Sequence, residues 1–224
     1  ISANTTAGFS IVSYTGTGSN MTIGHGLGAV PSVMIFKIRN SADNWAVWHN
    51  SFAVNEYVYL NTTAAKATHA PFMNSTLPTS TLISLGSWAT VNYTASYNYI
   101  AYCFAEVPGY SAFGSYTGNG STDGPFIYTG FAPRYVLLKV ASGQINATNW
   151  QIFDTARNPN NVIPTYLFAD SSGAESDSGA AYFNTDILSN GFKLRAANTY
   201  GINQSGATYI YMAFAENPFK NSNA

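Results

Sequence analysis

The sequence predicts an all-β protein made of two tandem, duplicated β-sandwich halves of jelly-roll-like form. Its 224 residues include 16 Tyr, 14 Phe and 19 Gly, and this mixture of aromatic residues and turn formers is typical of strands joined by tight turns. Strand-like runs recur about every 8–12 residues, which is the spacing of a sandwich or jelly roll. Short segments of the first half also recur, in the same order, in the second half.

The recurring segments indicate an internal duplication. The five matches, first copy before second, are SYTGTGSN (13–20) and SYTGNGST (115–122), VPSVMIFKI (30–38) and APRYVLLKV (132–140), NWAVWH (44–49) and NWQIFD (149–154), YLNTTAAKA (59–67) and YLFADSSGA (166–174), and YIAYCFAEVP (99–108) and YIYMAFAENP (209–218). Because chance matches would not keep their order, one unit is present twice. We predict halves at residues 1–107 and 108–224, packed together because no long Ser/Gly linker separates them.

Along the chain, each recurring segment predicts one local structure. The glycines of SYTGTGSN and SYTGNGST supply positive φ angles and predict a hairpin turn. Phosphate binding is disfavoured there, because strand-like residues rather than a helix follow the glycines. Pro31 and Pro133 each introduce an apolar run at the mouth of a strand, where a missing N–H does least harm. Residues 99–106 and 209–216 are apolar on both alternating faces, which predicts central strands covered on both sides.

The charge content excludes several classes of protein. Charged residues make up only 8% of the chain, with nine Lys and Arg against ten Asp and Glu, whereas an ordinary domain has about 25%. Without a basic patch or an apolar run of about 18 residues, we expect neither nucleic-acid binding nor membrane insertion. The single cysteine, Cys103, excludes an intramolecular disulfide. Since the chain begins at Ile1, we expect a processed or excised piece.

Few side chains are candidates for catalysis or metal binding, and we predict a non-enzymatic protein without a cofactor. His25, His49 and His69 are not at metal-ligand spacing, and we interpret them as satisfied surface or loop histidines. Cys103 aligns with Ala213 of the second copy, so a methyl group fills the equivalent position. This predicts a small buried side chain rather than a reactive thiol.

The acidic residues offer two further candidates. Glu106 and Glu216 are equivalent in the duplication, which favours a shared structural task such as capping backbone N–H groups or pairing an arginine. Asp170, Glu175 and Asp177 are candidate calcium ligands, but they lack the ligand order of an EF-hand loop. We therefore expect no metal, with these three carboxylates as the alternative.

Aromatic residues that only one half carries are the better candidates for a contact surface. Trp45 and Trp150 align across the duplication and are expected in the core. Trp88, Tyr93 and Tyr97 lie in the segment SWATVNYTASYNY (87–99), which the second half does not share. We predict that these three side chains contact a ligand, because Tyr and Trp supply large, rigid contact areas.

Eight Asn-X-Ser/Thr sequons occur along the chain, at Asn4, Asn20, Asn61, Asn74, Asn92, Asn119, Asn146 and Asn203. In a sequence this rich in Asn, Ser and Thr, sequons are expected from composition. They do not by themselves predict glycosylation.

Longer stretches of the chain resemble a known family. These are HGLGAVPSVMIFK, NWAVWHN, YLNTTAA, YIAYCFAEVPGYSAFGSYTGNGSTDGPFIYTGFAPRYVLLK, DILSNGFKLR and YIYMAFAENPFK. They resemble a domain of uncharacterised function in structural proteins of marine tailed bacteriophages, often found in long tail-fibre or virion-appendage polypeptides. The resemblance extends from Phe9 to Lys220 and implies a structural or adhesive role. Some relatives are accompanied by lectin-like sandwich domains, which implies glycan binding by association only. The family supplies no catalytic motif.

Residues and resemblance together predict a non-enzymatic virion structural or adhesive module. We expect it on a tail fibre or another appendage, or as capsid decoration, with a virion or extracellular location. Its expected partners are other virion subunits, further copies of itself in a homo-oligomer such as a trimer, and a host-surface glycan or protein. Two alternatives stay open: a carbohydrate-active depolymerase, which needs two converging carboxylates, and a cellular surface adhesin.

Overall fold

The computed structural model describes residues 1–143, 148–177, 183–197 and 201–216. The regular elements in these ranges are all strands, and the predicted all-β, sandwich-type fold is confirmed. The chain divides into two compact units, unit 1 (Ile1–Asn61 and Lys66–Val107) and unit 2 (Thr62–Ala65 and Pro108–Ala224). No helix in the described part of the chain is long and apolar enough to cross a membrane.

Unit 1 contains two antiparallel sheets. Its strands are β1 (Ser2–Asn4), β2 (Phe9–Thr15), β3 (Met21–Gly24), β4 (Val33–Ile38), β5 (Ala46–His49), β6 (Glu56–Tyr59), β7 (Ala67–Thr68), β8 (Leu82–Leu85) and β9 (Asn98–Phe104). The large sheet has the order β1-β2-β9-β4-β5-β6-β7, and β3 and β8 form a small second sheet. The last strand, β9, therefore lies between β2 and β4, as predicted for a central strand.

Unit 2 repeats this arrangement. Its strands are β10 (Ser111–Thr117), β11 (Phe126–Tyr128), β12 (Pro133–Ser142), β13 (Gln151–Asp154), β14 (Thr165–Phe168), β15 (Ser176–Asp177), β16 (Thr185–Leu188), β17 (Gly191–Leu194) and β18 (Thr208–Ala215). The large sheet has the order β10-β18-β12-β13-β14-β15, and the small sheet has the order β11-β17-β16. From β10 onward, the large sheet follows the same order as β2 to β7 of unit 1.

The core of unit 2 forms between its two sheets. Because side chains alternate along a strand, Val136, Leu138 and Val140 point to one face of β12, where they join a cluster with Ile127 and Phe192 of the small sheet. All five are buried, and each contributes about 1.5–3 kcal/mol when removed fully from water. Sheet-on-sheet burial of apolar faces therefore holds the unit together.

The predicted two-sided burial is present over residues 209–213 of β18, whereas Phe214 is half-buried and Glu216 is exposed. In β18, Tyr209 and Ala213 are buried on the core face, and Ile210 and Met212 are buried on the other face. In β9, buried residues alternate with half-buried ones.

Of the two tryptophans expected in the core, Trp150 is buried, with 1% of its surface exposed. Trp45 is only half-buried, and its ring stacks on Tyr102 with centroids 6.4 Å apart, so the prediction was wrong for Trp45.

A stacked pair of tyrosines joins the large sheet to a loop in each unit. In unit 1 the rings of Tyr14 and Tyr99 are 5.3 Å apart, and the Tyr14 hydroxyl donates to Val91 O at 2.7 Å. In unit 2 the rings of Tyr116 and Tyr209 are 4.9 Å apart. The Tyr116 hydroxyl donates to Ile202 O, the equivalent carbonyl, at 2.9 Å. The duplication thus preserves a specific contact as well as a strand order.

A buried asparagine holds each of the repeated glycine-rich loops. Asn92 Nδ2 donates to Ser19 O at 2.7 Å, and its Oδ1 accepts from the Thr17 N–H at 2.7 Å. Asn203 makes the equivalent bonds in unit 2. Its Nδ2 donates to Ser121 O at 2.8 Å, and its Oδ1 accepts from the Asn119 N–H at 2.8 Å. Both asparagines have no exposed surface. We call these two residues the asparagine pins.

The repeated glycine-rich phrase is not the hairpin that the sequence predicted. Gly18 and Gly120 do have φ angles of 72° and 70°, in the left-handed region that glycine tolerates. However, β2 and β3 belong to different sheets, as do β10 and β11. Each phrase is therefore a crossover from the large sheet to the small one, and the pins supply hydrogen bonds that a hairpin ladder would otherwise provide.

Two of the eight sequons coincide with the asparagine pins. Asn92 and Asn203 bury their amide groups, whereas Asn4 and Asn74, for example, are exposed. Asn146 lies outside the described residues. A glycan on either pin would displace the hydrogen bonds of its amide, so neither pin is a glycosylation site in the folded chain.

Candidate functional site

The predicted contact residue Trp88 lies half-buried in an aromatic cluster of unit 1. Its indole stacks on His69 with ring centroids 4.6 Å apart and an interplanar angle of 18°. The same ring lies 4.7 Å from Tyr57 and 5.3 Å from Phe72. A fourth ring, Tyr59, lies 6.5 Å away. Trp88 therefore packs against four rings of its own unit, and only part of its surface is left for a ligand.

Tyr93 and Tyr97 lie together on the loop that precedes β9. Their ring centroids are 5.4 Å apart, and Tyr93 is 48% exposed. The Tyr93 N–H donates to the Tyr99 hydroxyl at 3.0 Å, which ties this loop to the stacked tyrosine pair. Among the described residues, no ring contact joins Trp88 to either tyrosine. The structure thus brings two of the three predicted contacts together.

The three calcium candidates of unit 2 have separate surroundings. Asp170 Oδ1 accepts from the Trp150 N–H at 3.0 Å, and Glu175 pairs with Arg157 at 2.6 Å. Asp177 lies on the edge strand β15. Within the described ranges, no group of three or more His, Cys, Asp or Glu side chains is arranged to hold a metal ion. The structure does not bring these carboxylates into one site.

His25, His49 and Cys103 are buried in unit 1 and have structural surroundings. His25 Nε2 lies 3.2 Å from Thr79 O, and burial lowers the pKa of the imidazole. His49 Nδ1 accepts from the Ser51 N–H at 3.1 Å. Burial raises the pKa of Cys103 to about 12, so its thiol is protonated and unreactive at neutral pH. The prediction that Cys103 is a small buried side chain is confirmed. His25 lies in a loop, as predicted, and His49 ends β5, but both are buried and not at the surface.

Lys139 is a fully buried lysine of unit 2. Its Nζ donates to Thr148 O at 2.6 Å and to Thr62 O at 3.2 Å. Burial lowers its pKa to about 8, and the nearby charge of Asp170 opposes this shift. Since backbone carbonyls bind the amine, its environment is that of a structural group and not of a nucleophile.

Two exposed aromatic side chains of unit 2, Phe126 and Tyr128, form what we call the aromatic ledge. They are 44% and 66% exposed, whereas Ile127 between them is 7% exposed and belongs to the core. A β-carbon at Gly191, on the neighbouring strand, would lie 3.0 Å from Cε2 and Cζ of Phe126. Because glycine has no β-carbon, the Phe126 ring can lie across that strand.

The equivalent positions of unit 1 carry no aromatic rings. The register of the small sheets makes Thr22 equivalent to Phe126, and Gly24 equivalent to Tyr128. Between them Ile23 is buried, like its counterpart in unit 2. The two units therefore keep the inward residue of this strand and differ in its outward residues.

Four charged side chains near the ledge balance one another. Lys193 is paired directly with Phe126 across the strands, and its Nζ lies 2.8 Å from Asp123. Arg195 Nε lies 2.6 Å from Asp186. The hydrogen bond from Lys193 holds the pKa of the Asp123 carboxyl below its usual range. The border of the ledge is thus polar and has no net charge.

A cavity of about 290 Å³ lies at the edge of the same small sheet. Its lining includes Thr155 and Ser189, and also Arg134 and Glu216, whose Nη1 and Oε1 atoms are 2.8 Å apart. This volume is at the small end of the range for ligand cavities. The predicted pairing of Glu216 with an arginine is present, but Ser32 stands at the matching position of unit 1, so the pair is not shared.

The sequence did not indicate the ledge, because the alignment of the halves weakens between the recurring segments. The signal is present, however, in the comparison of MTIG (21–24) with FIY (126–128). In both strands one buried isoleucine is flanked by outward positions, and only the second copy fills these with large rings.

A comparison with protein families gives a match over almost the whole chain. A family model described as "Domain of unknown function (DUF7483)" matches residues 1–218. No curated protein and no solved structure matches the chain. Since the match spans both units, a single family domain contains the complete duplication.

Proposed function

The chain belongs to the family described as Domain of unknown function (DUF7483), and from this premise we propose that it is a non-enzymatic structural and adhesive module of a tailed-phage virion. It sits on a tail fibre or another appendage, or decorates the particle, and it attaches to a glycan or protein of the host surface. The resemblance of the sequence to marine phage structural proteins supports the virion setting. Its partners are other virion subunits and further copies of the chain, as in a trimeric fibre.

The observation that carries the adhesive role is the aromatic ledge, with the cavity at the edge of the same sheet. Both units keep the tyrosine pair and the asparagine pin, yet only unit 2 combines Phe126 and Tyr128 with the pair of Arg134 and Glu216. Exposed aromatic rings that pack no core are typical of interaction sites. Individually weak contacts of this kind become strong attachment when several copies bind together.

The cavity supports binding over glycoside hydrolysis. Glycosidases use two carboxyl groups roughly 5–10 Å apart. Among the described residues that line this cavity, Glu216 supplies the single carboxylate, and Arg134 is paired with it. We therefore favour an adhesive module over the depolymerase.

Attachment is tested with the whole chain on arrays of bacterial surface glycans and on a panel of marine bacterial cells, with its mass in solution measured in parallel. We expect binding to a subset of glycans or cells and no release of sugar from them. The double variant Phe126→Ala/Tyr128→Ala should lose this binding. The double variant Tyr93→Ala/Tyr97→Ala measures the contribution of the contacts predicted from sequence.

Two results would contradict the proposal. A chain that binds no glycan, no protein receptor and no cell has no adhesive role. Antibodies against the chain should label purified virions, on their appendages or capsids. Labelling of uninfected bacterial cells in place of virions would favour the cellular adhesin.

A further inference from the structure

The cavity and the aromatic ledge are neighbours on one small sheet. Tyr128 pairs with Gly191, and Gly191 pairs with Leu188, which lines the cavity. Adjacent strands are about 4.8 Å apart, so the backbone of Tyr128 lies two strand spacings, or about 10 Å, from that of Leu188. The N–H groups of Thr129 and Gly130 both donate to Asn190 O, which fixes the end of the ledge to the turn beside the cavity.

The cavity offers donors and acceptors without net charge. Arg134 and Glu216 neutralise each other, and their side chains are 44% and 42% exposed. The guanidinium carries five N–H donors, and the carboxylate oxygens accept several hydrogen bonds. Within the described residues, Arg134 donates hydrogen bonds to protein partners only through Nη1, to Glu216 and Thr155. The remaining donors and acceptors point to a ligand rich in hydroxyl groups.

The ledge also has charged groups that cancel, and it adds an apolar surface. The Phe126 and Tyr128 rings are apolar, and beside them stand two cations and two anions that cancel. A polyanion such as nucleic acid would need an excess of Lys and Arg. A stable protein partner would need a larger apolar patch than two rings supply. A sugar ring matches the ledge, because its C–H groups form an apolar face and its hydroxyls form a polar edge.

We propose, building on the adhesive function above, that the cavity and the ledge are two adjoining subsites for an uncharged glycan. The terminal pyranose enters the cavity, where its hydroxyl groups bridge Glu216 and Arg134. The following sugar stacks on Tyr128, and Phe126 extends the surface along the glycan. Unit 1 has Ser32 in place of Arg134 and Gly24 in place of Tyr128, so each chain carries one such site.

The test measures the affinity of the whole chain for neutral oligosaccharides, by array and then by calorimetry, with methyl pyranosides of glucose, galactose and mannose as soluble competitors. Glu216→Gln and Tyr128→Ala should each weaken binding at least 10-fold, and Tyr128→Phe should weaken it less than 3-fold because the ring remains. The matched controls in unit 1 are Glu106→Gln and Leu82→Ala, which should change affinity less than 2-fold. Circular dichroism verifies that every variant is folded.

The outcomes separate this inference from the proposed function. If the chain binds neutral glycans but Glu216→Gln and Tyr128→Ala leave the affinity unchanged, attachment stands and these subsites are wrong. If only sialylated, sulfated or uronate glycans bind, the assignment to uncharged sugars is wrong. If a host protein but no glycan binds, the inference also fails while attachment stands. If nothing binds, both fail.

Discussion

Unit 1 and unit 2 carry the same framework but present different side chains on their small sheets. Where unit 2 has the rings of Phe126 and Tyr128, unit 1 has Thr22 and Gly24. Inside both units, by contrast, the stacked tyrosines and the asparagine pins make the same hydrogen bonds. The positions that the duplication preserves therefore serve folding, and function is to be sought at outward positions where the copies differ.

The largest effect is expected from removing the asparagine pins, which tests whether the framework is equivalent in the two units. Asn92→Ala and Asn203→Ala each remove several buried hydrogen bonds, and each buried group left without a partner costs about 1–3 kcal/mol. We expect each variant to destabilise its own unit by about 4 kcal/mol. Hydrogen exchange measured by mass spectrometry on the full chain reports the two units separately.

The control for the pins is Asn20→Ala, at an exposed sequon, which should change stability by less than about 0.5 kcal/mol. Should one pin variant open its unit while the other leaves exchange unchanged, the two frameworks are not equivalent.

The next largest effect concerns the buried lysine of unit 2. The pKa of Lys139 is about 8 in the folded chain, against 10.5 as its ordinary value. Between these values the unfolded chain keeps a proton that the folded chain has released, so unit 2 gains stability as the pH rises from about 8 to 10.5. The whole rise is about 3 kcal/mol, and below pH 8 the full cost of burying the charge remains.

Lys139→Met should abolish this rise, because methionine does not titrate. Denaturant unfolding between pH 7 and pH 9.5, followed for the native chain and the variant, measures it. Lys37→Met, at the equivalent position of unit 1, should leave the rise in place. A rise that persists in Lys139→Met belongs to another group.

A smaller effect is expected at the stacked tyrosines. Tyr14→Phe and Tyr116→Phe keep the ring but lose the hydroxyl that donates to a loop carbonyl. Each should cost about 1 kcal/mol, equally in the two units, as measured by thermal unfolding. Tyr128→Phe, which changes an exposed hydroxyl, serves as the reference. Unequal losses would show that the stacked pairs support their units to different degrees.

The smallest effect on stability is expected where the units differ most. The pair of Arg134 and Glu216 is more than two-fifths exposed on both sides, and such pairs contribute about 0–1 kcal/mol. Arg134→Ala and Glu216→Gln should therefore shift the thermal midpoint only slightly while they weaken glycan binding. A loss of more than about 2 kcal/mol would mean that the pair is a structural element after all.

The fold was largely predictable from the sequence because the duplication and the alternating apolar runs are local signals. The central position of residues 99–106 and the burial of Cys103 followed from them. The hairpin was wrong because glycines with positive φ serve a hairpin and a crossover equally well. Which strands then pair depends on contacts distant in the chain. For the same reason the sequence did not reveal that Trp88 meets Tyr57 and His69.

The asparagine pins also determine where this chain can be produced. Both pins are complete sequons, and a secretory pathway that glycosylates Asn-X-Ser/Thr meets them while the chain is still extended. A sugar attached to Asn92 or Asn203 at that stage would keep the crossover loop from closing onto its amide. Eukaryotic secretion is therefore expected to yield misfolded chains, whereas the cytoplasm of a bacterial expression host leaves both amides unmodified.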